Sequence, residues 1–394
     1  MKHSITMAYA GAHGLYWSAV CALVTFAAVY LQLKGFPPGQ VGFVLSLATI
    51  VPAFLQPLLA SAADRSKRWS LRSFLTVLVL LLLASLFALL LAQPGGMVLL
   101  LVFFTASVLI HLMEPLLNSI AVYAFHHEIP VDFGISRAGG SLCFALASLG
   151  LGYAAKYWGA DSLLWICVLC TCGFLAFLYI LPRMKPDNHP AGAADASCSL
   201  PVFLLRYRRY TLVMAGFFLI AAFHVMTETY LLNMMERIGG DSSHVGISLL
   251  LANLCEFVVI FFYERFRRLL RSSTWMGLTA VCFAFKALLF HLAPTVLALY
   301  LAGCLQAVTY GFYAPSILHF ANEEIDPQDS VKGQSVAVAI FTLGGSFGNY
   351  AGGLLIERFS VHTMTLAAFL FALLGAVIVV LVLRFSRSSR QSCS

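Results

Sequence analysis

Apolar residues are grouped in twelve long runs, separated by short polar segments. Each run is about 20 residues or longer, which is the length an α-helix needs to cross roughly 30 Å of hydrocarbon. Turn-forming residues mark the connections, as at Pro37 to Gly39 and Gln93 to Gly96. The runs cover residues 10–33, 40–63, 73–93, 97–124, 135–157, 162–182, 210–234, 243–263, 273–292, 295–320, 334–356 and 361–384.

Composition agrees with this pattern. Apolar residues make up 60% of the chain, charged residues only 10%, and the mean hydropathy is +0.88. A soluble domain carries about 25% charged residues. The runs are too long and too continuously apolar for the strands of a membrane β-barrel. We therefore predict an all-α membrane protein with twelve transmembrane helices.

The basic residues predict the orientation. If the N-terminus is cytoplasmic, eighteen of the 24 Lys and Arg residues fall on the cytoplasmic side and four on the other. Cytoplasmic loops of membrane proteins carry such an excess of positive charge. We therefore expect a multi-pass protein of the bacterial inner (plasma) membrane with both termini cytoplasmic. This distribution explains the net charge of +7 without a nucleic-acid partner.

The second half of the chain repeats the first. When the first half is shifted by about 200 residues, several of its residues align with identical or similar residues of the second half. This alignment indicates an internal repeat. Examples are Tyr30-Leu31 with Tyr230-Leu231, Asp64-Arg65 with Glu264-Arg265, Pro115 with Pro315, and Gly152 to Gly159 with Gly353 to Ser360. We predict a six-helix half at 1–182, a cytoplasmic linker at 183–209, a six-helix half at 210–385 and a cytoplasmic tail at 386–394.

Between the second and third runs the chain reads Ser61-Ala62-Ala63-Asp64-Arg65-Ser66-Lys67-Arg68. This segment resembles the loop G-x-L-x-D-R-x-G-R-R/K of the major facilitator superfamily, although the glycines of that loop are missing. The stretch from Asp132 to Ser141 is similar to the fifth-helix entry of one branch. That branch holds lactose permease, nucleoside–proton symporters and the phenylpropionate transporter.

This resemblance implies two six-helix halves, related by a pseudo-two-fold axis, that rock about a central site in an alternating-access mechanism. It also implies a gating role for the basic loop and its repeat, at Asp64, Arg65, Arg68, Glu264, Arg265 and Arg268. Glycines suit close helix contacts, between the halves or within one. They are dense in the fifth and eleventh runs, at Gly139, Gly140, Gly150, Gly152, Gly344, Gly345, Gly348, Gly352 and Gly353.

Few charges lie in the apolar runs away from their ends, and each costs about 2.5–3.5 kcal/mol at the centre of a spanning helix. They are Glu114, Arg137, Glu228, Glu256 and Lys286. We therefore take them as candidates for the solute and proton pathway.

The fourth run places His111, Glu114 and Asn118 on one helix face. By the resemblance, Asn118 takes the position of the sugar-binding acid of lactose permease, and Arg137 corresponds to the arginine partner of that acid. We predict that Glu114, one turn away, substitutes for the acid. The alternatives are a structural ion pair for Glu114 and, for Arg137, a side chain that reaches toward the cytoplasmic end.

The seventh and eighth runs carry His224 with Glu228, four residues apart, and Asn253 with Glu256, three apart. A glutamate in an apolar site can exchange protons near neutral pH. Glu256 is therefore our leading candidate for proton coupling. The alternative is a permanent ion pair between Glu256 and Lys286.

In the tenth run, the positions that serve proton coupling in lactose permease align with Gln306 and Thr309 or with Tyr310 and Tyr313. Neither alignment supplies an acid. The row of Gln306, Tyr310 and Tyr313 offers hydrogen bonds and aromatic stacking instead. These groups suit a sugar, a nucleoside or an aromatic acid, although local packing of the tyrosines is an alternative.

We therefore predict that the protein is a secondary transporter, which carries a small organic solute by proton symport. We do not expect it to be an enzyme. Drug or metabolite efflux, proton-independent facilitation and a non-transporting membrane sensor are the alternatives. The sequence lacks the phosphate-binding loop of an ATP-driven pump. We expect no cofactor and no metal site. The expected partners are the solute, protons and membrane lipid, and the protein is expected to be a monomer.

Overall fold

The structure is a computed structural model that describes residues 2–66, 69–93, 95–126, 133–181 and 199–391. Within these ranges the regular elements are helices. The chain forms two compact units. Unit 1 comprises Met1–Phe36, Phe43–Ala193 and Asp241–Leu250, and unit 2 comprises Pro37–Gly42, Ala194–Gly240 and Leu251–Ser394.

The first seven helices cover the six runs of the first repeat. The first run is divided by a five-residue π-helical segment, Cys21–Thr25, and its two parts bend by 46°. The helices are α1 (Lys2–Val20), α2 (Ala27–Leu33), α3 (Pro38–Arg65), α4 (Leu71–Leu91), α5 (Gly96–His126), α6 (Phe133–Trp158) and α7 (Asp161–Ile180).

Nine further helices follow. A short helix, α8 (Leu200–Arg206), lies within the segment predicted as linker, and Phe203 anchors it by complete burial. The others are α9 (Arg208–Thr229), α10 (Leu231–Glu236), α11 (Ser242–Arg267), α12 (Ser272–Leu292), α13 (Val296–Cys304), α14 (Tyr310–Glu324), α15 (Ser330–Arg358) and α16 (Val361–Gln391).

The prediction of an all-α membrane protein is confirmed, and each of the twelve predicted runs is helical over most of its described residues. In the described part of the chain, ten segments are long and apolar enough to span a membrane, counting α13 and α14 together as one, or eleven if the bent pair α1–α2 is also one span. The remaining run is α15, which is 29 residues long. Its glycines and Asn349 lower its hydropathy, although its length suffices for a crossing.

The same helix pairs pack in both units. In unit 1, α1 packs on α6 and α7, and α4 packs on α5. In unit 2, α9 packs on α15 and α16, and α12 packs on α14. These pairs correspond at the repeat offset found in the sequence. Two helices are shared, because α3 begins in unit 2 and continues in unit 1, whereas α11 begins in unit 1 and continues in unit 2.

Glycines allow α15 to approach α9 within unit 2. A Cβ atom on Gly344 would lie 2.3 Å from the carbonyl oxygen of Phe218, and one on Gly348 would lie 2.2 Å from that of Ala222. The expectation of close contact is wrong for two glycines of α6. A Cβ on Gly150 would meet no atom within 4 Å, and one on Gly139 would reach its nearest neighbour at 3.9 Å.

We expect Gly348→Ala to lower the free energy of unfolding by about 1–3 kcal/mol, because the new methyl group must displace the backbone of α9. The matched control is Gly150→Ala, which should be neutral or stabilising because alanine favours helix at a site with open space. Thermal unfolding of the purified protein in detergent measures both. Equal unfolding temperatures for the two variants would contradict this assignment.

Candidate functional site

A break between α13 and α14 shapes the candidate site in unit 2. After Cys304 the chain forms one 3₁₀ turn, Leu305–Ala307, and α14 begins at Tyr310. Both the backbone N–H and the hydroxyl of Thr309 donate to the carbonyl of Leu305, at 3.0 and 2.9 Å. A threonine hydroxyl that bonds a carbonyl four residues earlier tends to bend a helix. This turn places Gln306 off the regular helical row.

The amide of Gln306 joins two charged side chains from different helices. The ammonium of Lys286, on α12, donates to Oε1 of Gln306 at 2.5 Å, and Nε2 of Gln306 donates to Oε2 of Glu256, on α11, at 3.0 Å. Lys286 and Gln306 are only 3% and 4% exposed, whereas Glu256 is partly exposed. The direct ion pair considered for Glu256 and Lys286 does not form, because the neutral amide lies between them.

His224 and Glu228 lie beside this network on α9. Nε2 of His224 lies 3.5 Å from Oε1 of Glu228, as their four-residue spacing predicts, and the Glu228 side chain is 42% exposed. The imidazole stacks on Tyr310 with ring centres 5.3 Å apart, and Phe341 contacts both rings. Tyr313 is buried against Phe341 and belongs to the hydrophobic packing. The aromatic wall of the site is therefore His224, Tyr310 and Phe341.

In unit 1, Pro115 organises the candidate residues of α5. Proline has no N–H, so the carbonyl of His111, four residues earlier, loses its helical donor. Nε2 of Gln56, on α3, donates to this carbonyl at 2.9 Å. The hydroxyl of Tyr16 donates to the neighbouring carbonyl of Ile110 at 3.1 Å. The carbonyls of Ile110 and His111 thus have side-chain donors although Pro115 lies inside the helix.

The Arg137 side chain is held by two neighbours. Its guanidinium lies 4.3 Å from the centre of the Trp17 ring and donates to the hydroxyl of Ser141 at 3.0 Å. Glu114 interacts electrostatically with Arg137, yet within the described ranges neither side chain has an ion pair within 4.0 Å. The close ion pair considered for Glu114 is therefore not formed. Asn118 is half-buried one turn further along α5.

The remaining predicted residues are Asn253 and the six residues of the two basic loops. Asn253 is half-buried on α11, one turn before Glu256. Glu264 accepts from Arg267 at 3.0 Å and lies 3.8 Å from His319, while Arg265 and Arg268 are exposed. In the equivalent loop of unit 1, Arg68 and the side chains of Asp64 and Arg65 lie outside the described part of the structure.

Comparison with known proteins identifies the family. The model of the MFS_1 like family matches residues 7–367, which is most of the chain. The chain belongs to this family. It is therefore a membrane transporter of the major facilitator superfamily, as the loop motif and the repeat suggested.

Two curated relatives span nearly the whole transporter. Maltose permease of Geobacillus stearothermophilus is 26% identical over 388 residues, covering 96% of this chain and 94% of the relative. The uncharacterized transporter YwbF of Bacillus subtilis (strain 168) is 22% identical over 385 residues, covering 93% and 91%.

Solved structures share the fold of this transporter. The nucleoside transporter NupG matches with a TM-score of 0.81 at 17% identity, covering 96% of this chain and 98% of that one. The POT family transporter PepTSo matches with a TM-score of 0.74 at 12% identity, covering 98% of both chains.

Sequence reasoning missed several residues that contact the candidate site residues, among them Phe341, Gln56 and Trp17. Gln56 could have been found, because an amide in the middle of one apolar run and a proline in another predict a donor and an orphaned carbonyl. Trp17 carried no comparable signal, since its contact with Arg137 joins residues far apart in the chain.

We expect Gln306→Leu to destabilise the transporter by about 1–3 kcal/mol, because the buried ammonium of Lys286 loses its acceptor. Gln306→Glu keeps an acceptor of opposite charge and should retain most of the stability. Gln40→Leu, which removes an exposed amide from α3, is the matched control. If Gln306→Leu and this control have the same unfolding temperature at neutral pH, the bridge through Gln306 does not stabilise the protein.

Proposed function

We propose that this transporter carries a small, ring-containing organic solute across the membrane together with a proton, by alternating access. The observation that carries the proposal is the chain of hydrogen bonds from Lys286 through Gln306 to Glu256. One end is a partly exposed carboxylate that can meet water and protons, and the other is a buried ammonium that senses the charge of that carboxylate.

The charge balance supports proton coupling. In unit 2, the two carboxylates of Glu228 and Glu256 face one cation, the ammonium of Lys286. Glu228 and Glu256 both interact electrostatically with Lys286. When all three groups are ionised, one negative charge is uncompensated, and an isolated charge in apolar surroundings is costly. Uptake of one proton neutralises this excess charge. The lower electrostatic cost favours the binding of one proton in each transport cycle.

The aromatic wall supports a neutral, hydroxylated solute. Flat rings such as those of His224, Tyr310 and Phe341 offer contact area to the apolar face of a sugar or a base. Glu228 and Asn253 supply hydrogen bonds nearby. Maltose permease is among the relatives, and the nucleoside transporter NupG shares the fold. We therefore favour a sugar or a nucleoside over an aromatic acid, whose charge the excess carboxylate would repel.

The orientation rests on the distribution of basic residues, which supports cytoplasmic termini. The same helix packing in the two units supports alternating access, because transporters built from two similar repeats open a central site to one side of the membrane and then to the other.

We expect Glu256→Gln to abolish solute accumulation driven by an imposed proton gradient in reconstituted vesicles, because the amide cannot release a proton. Exchange of labelled for unlabelled solute across the same membrane should persist, since exchange needs no net proton movement. Glu236→Gln, which alters an exposed carboxylate outside the spans, is the control and should accumulate solute normally. Gradient-driven accumulation by Glu256→Gln at the wild-type level would exclude this coupling role.

We expect Tyr310→Ala to weaken solute binding about 3–10-fold, since an aromatic contact contributes about 0.5–1.5 kcal/mol. A thermal-shift screen with maltose and with uridine first identifies a ligand, and titration of the variant then gives its affinity. Leu297→Ala, at an exposed apolar position of α13, is the control. An unchanged affinity in Tyr310→Ala would place the solute away from the aromatic wall.

A further inference from the structure

Three nitrogen-bearing side chains meet at one end of unit 2, away from the candidate solute site. Arg237 directly follows α10, His291 lies in the last turn of α12, and His362 lies in the first turn of α16. Nη1 of Arg237 lies 3.2 Å from Nδ1 of His362, and the two imidazole rings are 4.5 Å apart. The charge distribution predicts that this end faces away from the cytoplasm.

The hydrogen bonds assign the ring protons. The Arg237 guanidinium is a donor only, so Nδ1 of His362 accepts and its proton lies on Nε2. The hydroxyl of Thr365 donates to the carbonyl of His362 at 3.0 Å, so it accepts from Nδ1 of His291, also at 3.0 Å. His362 therefore keeps a free Nε2–H donor, and Arg237 keeps further N–H donors, on an exposed surface.

Within the described residues no carboxylate balances this cluster. None of its three side chains forms an ion pair with an acid, and the neighbouring Glu236 forms none with them. The guanidinium is permanently charged. The N-terminus of α16, a helix of 31 residues, adds partial positive charge beside His362.

We propose that Arg237, His291 and His362 form a binding site for a phosphate-type oxyanion. The guanidinium of Arg237 and the Nε2–H of His362 are the donors, and His291 takes up a proton when the anion is bound. The anion is either free phosphate or the phosphate of a lipid headgroup, because both present negatively charged, non-bridging phosphate oxygens. The site is independent of the proposed proton-coupled transport, and no step of solute transport uses it.

Thermal unfolding of the purified protein tests the site, with sodium phosphate compared with sodium chloride at equal ionic strength. Phosphate should raise the unfolding temperature of the wild type by about 2 °C or more. Arg237→Gln should lose this increase, and His362→Gln should reduce it. Arg358→Gln removes an exposed arginine of α15 outside the cluster and should keep the full increase.

Lipid nanodiscs distinguish the two sources of phosphate. If the natural ligand is a lipid, discs with phosphatidylglycerol should stabilise the wild type more than discs of phosphatidylcholine alone, and Arg237→Gln should lose that difference. If it is free phosphate, only the soluble anion should show the dependence on Arg237. Either result supports the site.

Two results would overturn the proposal. One is the absence of any Arg237-dependent stabilisation by phosphate and by phosphatidylglycerol. The other is stabilisation by Zn²⁺ that requires both histidines and survives in Arg237→Gln, which would make the cluster a cation site. Solute transport by Arg237→Gln is measured separately. A negative result for the anion site therefore does not contradict the proposed transport function.

Discussion

The hydrocarbon interior of a bilayer offers no water, so each backbone N–H and C=O must find its partner within the protein. Helices satisfy this requirement along most of the chain. Where a helix is interrupted, side chains supply the missing partners. Gln56 donates to the carbonyl of His111, which lacks a helical donor because of Pro115. In the turn between α13 and α14, the hydroxyl of Thr309 donates to the carbonyl of Leu305. The interruption between α13 and α14 positions Gln306, whereas regular helices position Glu256, Lys286 and the pair of His224 and Glu228.

The same constraint governs the charges. A buried ammonium needs an acceptor, and Lys286 finds one in the neutral amide of Gln306. Arg137 spreads its charge over the face of Trp17 and a serine hydroxyl. Lys286 and Arg137 are thus held by uncharged groups, and the carboxylates of Glu256 and Glu114 interact with them electrostatically without a direct ion pair. Such an arrangement lets a carboxylate change its charge without breaking an ion pair.

The sequence predicts the fold well, because apolar length, basic loops and a 200-residue repeat are local or periodic signals. It also predicts the contact of His224 with Glu228, which depends only on helical spacing. It fails where the backbone leaves the regular helix. The 3₁₀ turn contains Gln306, whose amide bonds both Lys286 and Glu256, so a bridge takes the place of the direct pair that was the alternative for Glu256. Contacts between distant helices, such as Arg137 with Trp17, have no periodic signature, and helical spacing cannot show that Gly150 faces open space.

The bridge through Gln306 has a direction. Both of its hydrogen bonds run the same way, from the ammonium toward the carboxylate, so the amide dipole is aligned with them. Hydrogen bonds arranged in series polarise one another. A proton that arrives on Glu256 therefore weakens the acceptor strength of Gln306, and the change is felt at Lys286 without any contact between the two charged residues. Under the proposed function, the amide therefore links the protonation of Glu256 to the environment of Lys286 without carrying the proton itself.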